Sequence, residues 1–203
     1  MPLHNNIEGD FKRYRGVEFG YSFLLPKEWV ADGALLVAQT QARSGVLDYS
    51  IAQSKRNSRV LPDAAFGPVG RFTGRGVSQA DENVSVIASK LPVADFTLRG
   101  TLGTPTNAAE TLFRTALAPE GSGKIATLVA ACEENRGLSN VYQFDYTIDR
   151  GTRGVPLRAI SVISERNNDT LITLTVVSPA SEWGKPEKEA KLRKIAGSFK
   201  LTQ

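Results

Sequence analysis

The side chains that most often do covalent or metal chemistry are scarce in this chain, which has one histidine, His4, and one cysteine, Cys132, among 203 residues. His4 lies in a polar N-terminal stretch, so a triad has no credible base and a histidine-based metal site cannot assemble within one chain. Cys132 ends the apolar run from Ile125, which predicts a small buried hydrophobe with no partner for an internal disulfide. A reactive thiol needs a basic neighbour, whereas Glu133 and Glu134 follow it and oppose a thiolate.

Phosphate chemistry fares no better. Gly121-Ser122-Gly123-Lys124 looks like the end of a phosphate-binding loop, but Ala118 stands where the first glycine is needed and Ile125 where a Ser or Thr would meet magnesium. It reads as a hairpin turn. The Arg-Gly elements at Arg71, at Gly74-Arg75-Gly76 and from Arg150 to Gly154 lack a nucleic-acid-binding fold around them, so no nucleic-acid partner is expected. Asp81-Glu82, Glu133-Glu134 and Asp145 could offer oxygens to calcium, yet none has calcium-loop spacing. Glu133-Glu134 reads as a solvated strand end. Two carboxylates in a cleft could do acid–base work, and the sequence prefers no pair.

The remaining candidate is a contact element. Residues 54 to 82 are rich in glycine, proline and arginine and hold no period, which predicts a long loop or hairpin excursion. Between Lys55 and Arg75 five basic residues, Lys55, Arg56, Arg59, Arg71 and Arg75, face one acid, Asp63, with Phe66 and Phe72 among them. Arginine and aromatic anchors are favoured at interfaces, so these seven are the expected partner-binding residues. The alternative is a solvated excursion with no partner.

The elements that must hold such a loop follow from periodicity. Val17–Leu25 reads as a strand closed by Pro26, with Trp29 capping the core edge; Leu35–Gln39 and Val46–Gln53 read as two more. Asn83–Ser89 and Ile125–Cys132 are strands, and Val141–Ile148 alternates with Tyr142, Phe144, Tyr146 and Ile148 on one face. Leu157–Arg166 and Thr170–Val177 flank the turn Asn167-Asn168-Asp169. A helix starts with Thr104 as N-cap and Pro105 as its first residue and ends near Ala118. A second runs from about Pro186 to Ala196, with Leu192, Ile195 and Ala196 inward and Gly197 as a C-cap candidate, before Gly197–Leu201 returns extended. Strands, helix, strands, helix argue for a mainly antiparallel α+β domain.

Size permits one such domain, with residues 1–16 as a flexible tail and 17–203 folded around the 54–82 excursion. The formal charge of +4 permits an anionic partner surface without specifying nucleic acid. No apolar run approaches the ~18 residues of a membrane helix. Met1–Asp10 shows neither an apolar signal core nor transit-peptide character, so the protein is either cytosolic or has lost a targeting segment.

Four stretches, taken together, resemble the PsbP family of thylakoid lumenal proteins. Phe19-Gly20-Tyr21-Ser22-Phe23-Leu24-Leu25-Pro26-Lys27-Glu28-Trp29 resembles its opening strand and turn. Asn83-Val84-Ser85-Val86-Ile87, followed by Leu102-Gly103-Thr104-Pro105, resembles the next strand and helix start. Tyr142-Gln143-Phe144-Asp145-Tyr146 resembles the strand before the return hairpin, and Glu182-Trp183 with Gly197-Ser198-Phe199-Lys200-Leu201 the closing pattern. The 54–82 stretch looks longer than in the photosystem II subunit that names the family, and Glu182 stands where arginine is common. The resemblance therefore implies a divergent PsbP-domain protein.

It implies a central twisted antiparallel sheet sandwiched by helices, the PsbP/Mog1-like α-β-α sandwich. It implies a non-catalytic extrinsic or assembly protein, in the thylakoid lumen of a chloroplast after loss of a targeting peptide. Its partners would be photosystem subunits at the lumenal surface, of photosystem II on the oxygen-evolving side or of photosystem I. A second reading is a lumenal protein that binds calcium or manganese for the complex; a third is a Mog1-like regulatory binder.

Overall fold

A computed structural model describes residues 7–33, 35–37, 39, 61–69, 81–91, 95–137 and 139–203. Two antiparallel sheets form its frame. The smaller holds β1 (Ile7–Glu8), β2 (Phe11–Gly16), β3 (Tyr21–Pro26) and β11 (Lys200–Leu201), in that order. The larger runs β4 (Trp29–Ala31), β5 (Ala64–Pro68), β6 (Asn83–Lys90), β10 (Thr170–Pro179), β9 (Leu157–Arg166), β8 (Asn140–Asp149), β7 (Ile125–Asn135).

Alternation gives the larger sheet two apolar faces. Val84, Val86, Ile160, Val162, Ile172, Leu174 and Val176 share one, packed against the small sheet and against Leu192, Ile195 and Ala196 of helix Pro186–Gly197. Tyr142, Phe144 and Tyr146 line the other, as their spacing predicts. They meet Ala108 and Ala109 of helix Pro105–Leu112 (α1) and Phe113 just beyond it. Helix Pro186–Gly197 is α2. The helix–sheet–helix expectation holds, with the small sheet as an added half-layer.

Local chemistry sets the ends. Thr104 Oγ1 accepts the Asn107 N–H at 3.3 Å, and Pro105 needs no donor at that first position. Asn167 and Asn168 turn the β9–β10 hairpin with φ of 54° and 57°, a left-handed region that asparagine tolerates.

Several expectations need correction. The supposed tail contains β1 and β2: Phe11–Gly16 pairs residue for residue with β3, and Tyr14 stacks between Phe23 and Phe66. Its Lys and Arg residues disguise a strand in which Phe11 is buried and Lys12, Arg13 and Tyr14 are half-buried. Leu35–Gln39 is not a strand; Gly33, Leu35, Leu36, Val37 and Gln39 have helical backbone, with Asp32 Oδ1 accepting the Leu35 N–H at 3.3 Å. The expected strand Val46–Gln53 lies outside the described residues. Within 54–82 the structure forms β5, which pairs with both β4 and β6. Trp29, at 1% exposure, is inside the core and not at its edge. Gly197 is the last helical residue, with Ser198 capping in the right-handed region.

Cys132 is exposed, and the reason is a bulge. Leu128 opposes Tyr146 but Ala130 opposes Asp145, so Val129 is the extra residue and the facing of the strand inverts there. Ala126, Leu128 and Ala131 pack inward, and Cys132 turns out.

Candidate functional site

The seven expected contact residues divide sharply. Lys55, Arg56, Arg59, Arg71, Phe72 and Arg75 lie outside the described residues. Phe66 lies in β5, with its ring 4.8 Å from Tyr14 and 6.2 Å from Phe23, both in edge-on geometry. It bridges the two sheets, half-buried against the core. Beside it the buried Tyr21 hydroxyl donates to Asp63, the lone acid of that stretch, and burial pushes this phenol far above its ordinary value.

The carboxylates considered as ion ligands are already engaged. Asp145 accepts both arms of Arg158 at 2.9 Å and Arg193 at 3.0 Å, and both guanidinium groups lie over the Trp183 ring, at 5.1 and 5.7 Å. Glu82, almost fully buried, accepts from Lys188. Asp81 pairs with Arg150 at 3.0 Å. Glu133 meets Arg99 at 3.2 Å and Glu134 meets Arg136 at 2.8 Å. Among the described residues no three His, Cys, Asp or Glu converge as metal ligands.

Two of these pairs, with a third to Glu28, hold α2. Lys188 ties it to Glu82 ahead of β6, Lys191 to Glu28 at 2.8 Å, Arg193 to Asp145 on β8. Arg136 also donates to the Ala196 carbonyl at 2.8 Å. A cleft of about 500 Å³ runs beside the helix, with Phe11, Pro26 and Ala190 as apolar floor. Its rim mixes signs, since Lys27, Lys191 and Lys194 alternate with Asp10, Glu28 and Glu187.

A second cluster of cations lies on the small sheet. Tyr14 and Phe23 point from the small sheet to Phe66 in the large one, so Arg13, Arg15, Ser22 and Leu24 take the opposite face of that sheet. The register puts Arg13 beside Leu24, and Arg15 beside Ser22, with Lys200 on the far side of Ser22. Lys194 sits 4.4 Å above the Phe11 ring on that face. The cluster is not legible in the sequence, because Phe11 and Tyr14, three residues apart, take opposite faces of β2 and the row is completed only by β3 and β11.

No described helix is long and apolar enough to cross a membrane. CyanoP of Thermosynechococcus vestitus is 26% identical over 184 residues, spanning 89% of this chain and 80% of that protein. The solution structure of cyanobacterial PsbP (CyanoP) from Synechocystis sp. PCC 6803 superposes with a TM-score of 0.62 at 21% identity, over 97% of this chain and 95% of that one. The Saccharomyces cerevisiae Ran-binding protein Mog1p aligns over 97% of both chains at 10% identity, with a TM-score of 0.47. The PsbP family model matches residues 9–201, which takes in both sheets and both helices, and the chain belongs to the PsbP family.

Proposed function

We propose that this protein is a non-catalytic accessory or assembly protein that docks on the lumenal face of a photosynthetic complex, photosystem II on its oxygen-evolving side, within the thylakoid lumen. The observation that carries this reading is the family match across residues 9–201, supported by likeness to CyanoP over 89% of the chain. The two-sheet core supports it physically. Glu28, Glu82 and Asp145 clamp α2 to the sheets, which suits a rigid platform. Lys55, Arg56, Arg59, Arg71, Phe72 and Arg75 are the proposed contacts, with Phe66 at their inner end, its half-buried ring packed against the inter-sheet core.

Co-purification with photosystem II from solubilised thylakoid membranes tests the reading. Wild-type protein is expected in the photosystem fraction, and Arg56→Glu/Arg59→Glu is expected to reduce it several-fold, more at low salt, where screening is slight. Wild-type protein that never enters the photosystem fraction overturns the assignment. Wild-type association that the double reversal leaves intact overturns the contact residues alone.

A further inference from the structure

The face of the small sheet opposite Tyr14 and Phe23 carries an arrangement that lies outside the proposed contact residues. Ser22 on β3 is the register partner of Arg15 on β2 and of Lys200 on β11, so the three form one row across three strands. Directly opposed residues share a face, with Cβ atoms about 5 Å apart. Ser22 is 1% exposed, and its hydroxyl has no hydrogen-bond partner among the described residues. Arg15 and Lys200 are exposed and meet no carboxylate among those residues. Arg13 lies one step along the same face and Lys194 beyond it over Phe11, so cations extend the row in one direction.

A buried hydroxyl without a partner is uncommon, and like charges flanking it repel. One group answers both: a small anion with several acceptor oxygens. A guanidinium offers paired N–H donors, an ammonium a point charge and the hydroxyl one further donor. Three donors of different direction suit a tetrahedral oxyanion better than a planar carboxylate, which presents only two oxygens. Elsewhere in the molecule cations are answered by Glu28, Glu82, Glu134 or Asp145. Arg15 and Lys200 instead flank Ser22.

We propose that Arg15, Ser22 and Lys200 form a binding site for a sulfate- or phosphate-type oxyanion, carried either free or as a lipid headgroup. The exposed arginine and lysine close over the anion from the two flanking strands, and the hydroxyl between them gains its acceptor. This site is independent of photosystem docking.

The test uses the full-length chain. Amide resonances are followed during titration with sodium sulfate and with sodium phosphate, against sodium chloride at matched ionic strength. In parallel, sedimentation is measured with phosphatidylglycerol vesicles and with phosphatidylcholine vesicles. The comparison protein is Arg15→Gln/Lys200→Gln, two exposed positions, checked for folding by near-ultraviolet circular dichroism. Saturable shifts at Arg15, Ser22 and Lys200 with sulfate or phosphate, about tenfold weaker in the variant, support a free anion. Sedimentation with phosphatidylglycerol alone, lost in the variant, supports a headgroup. Chloride-like shifts that never saturate, together with vesicle binding that is absent or the same in the variant, overturn the site. Saturable binding that the variant retains overturns it as well.

Discussion

Removing the Asp145 carboxylate should be among the most damaging single changes at the surface of α2. Asp145 is 5% exposed and holds two guanidinium groups stacked over a Trp183 that is itself 2% exposed. Arg158, which the Asp145 hydrogen bond holds above its ordinary value, has a side chain 24% exposed, whereas that of Arg193 is 41% exposed. Breaking a buried pair from one side costs about 3–5 kcal/mol, and an exposed pair contributes about 0.2–1 kcal/mol. Asp145→Ala leaves two cations facing one another over the ring, relieved by partial solvation of both and by the pair Arg193 keeps with Glu189, so about 3 kcal/mol, the low end of that range, is expected. Arg158→Ala leaves Asp145 a second cation, and about 2 kcal/mol is expected. Arg193→Ala loses two partly exposed pairs, to Asp145 and Glu189, and one cation–π contact, together about 1 kcal/mol. Urea unfolding followed by tryptophan fluorescence measures all three. In 1 M salt the Arg193 difference should shrink while that of Arg158 persists. A loss under ~1 kcal/mol for Asp145→Ala, or an equal loss for Arg193→Ala, would refute the ranking.

Three further outcomes are expected. Lys188→Ala strands the buried Glu82 and should cost about 3 kcal/mol, while Glu82→Leu/Lys188→Met should come within ~1 kcal/mol of wild type by urea unfolding, because the desolvation cost leaves with the pair. Phe66→Ala opens a gap among Tyr14, Phe23 and Phe66 and should cost about 2–3 kcal/mol; an unchanged melting midpoint would leave Phe66 to the contact surface alone. Cys132 is accessible, but partial burial and the neighbouring Glu134 raise its thiol above the ordinary value, so alkylation by iodoacetamide should be slow near neutrality and accelerate with pH. Glu134→Gln should speed that reaction at fixed pH, and no change would remove Glu134 as a cause.

The strands legible in the sequence were those whose burial alternates without interruption. Tyr142, Phe144 and Tyr146, or Ile172, Leu174 and Val176, announce both strand and face. Thr104-Pro105 announced a helix because cap and first turn are local chemistry. What failed depended on distant partners. Nothing local marks Phe11–Gly16 as a strand until β3 lies beside it and buries Tyr14. Leu35-Leu36-Val37 is apolar without a period, and Asp32 as a cap was the overlooked cue. Cys132 failed for a subtler reason. A period-two pattern carries its parity through Val129 only if no residue is inserted, and the bulge reverses it without changing composition.

Charge shows the same limit more sharply. Between Lys185 and Gln203 stand six basic residues and two acidic ones, a surplus equal to the whole formal charge of +4. Composition cannot divide those cations into answered and unanswered ones; topology does. Lys188, Lys191 and Arg193 lie where α2 crosses the sheets, and each finds a carboxylate from a different part of the chain, Glu82, Glu28 and Asp145. Lys200 lies past the helix, at the outer strand of the small sheet, where its register neighbour is a serine and the next neighbour an arginine. A cation met by a buried carboxylate is part of the scaffold, and its loss should register as stability. A cation aligned with a second cation across an unpartnered hydroxyl adds repulsion to the folded state, so its loss should register in what the surface binds.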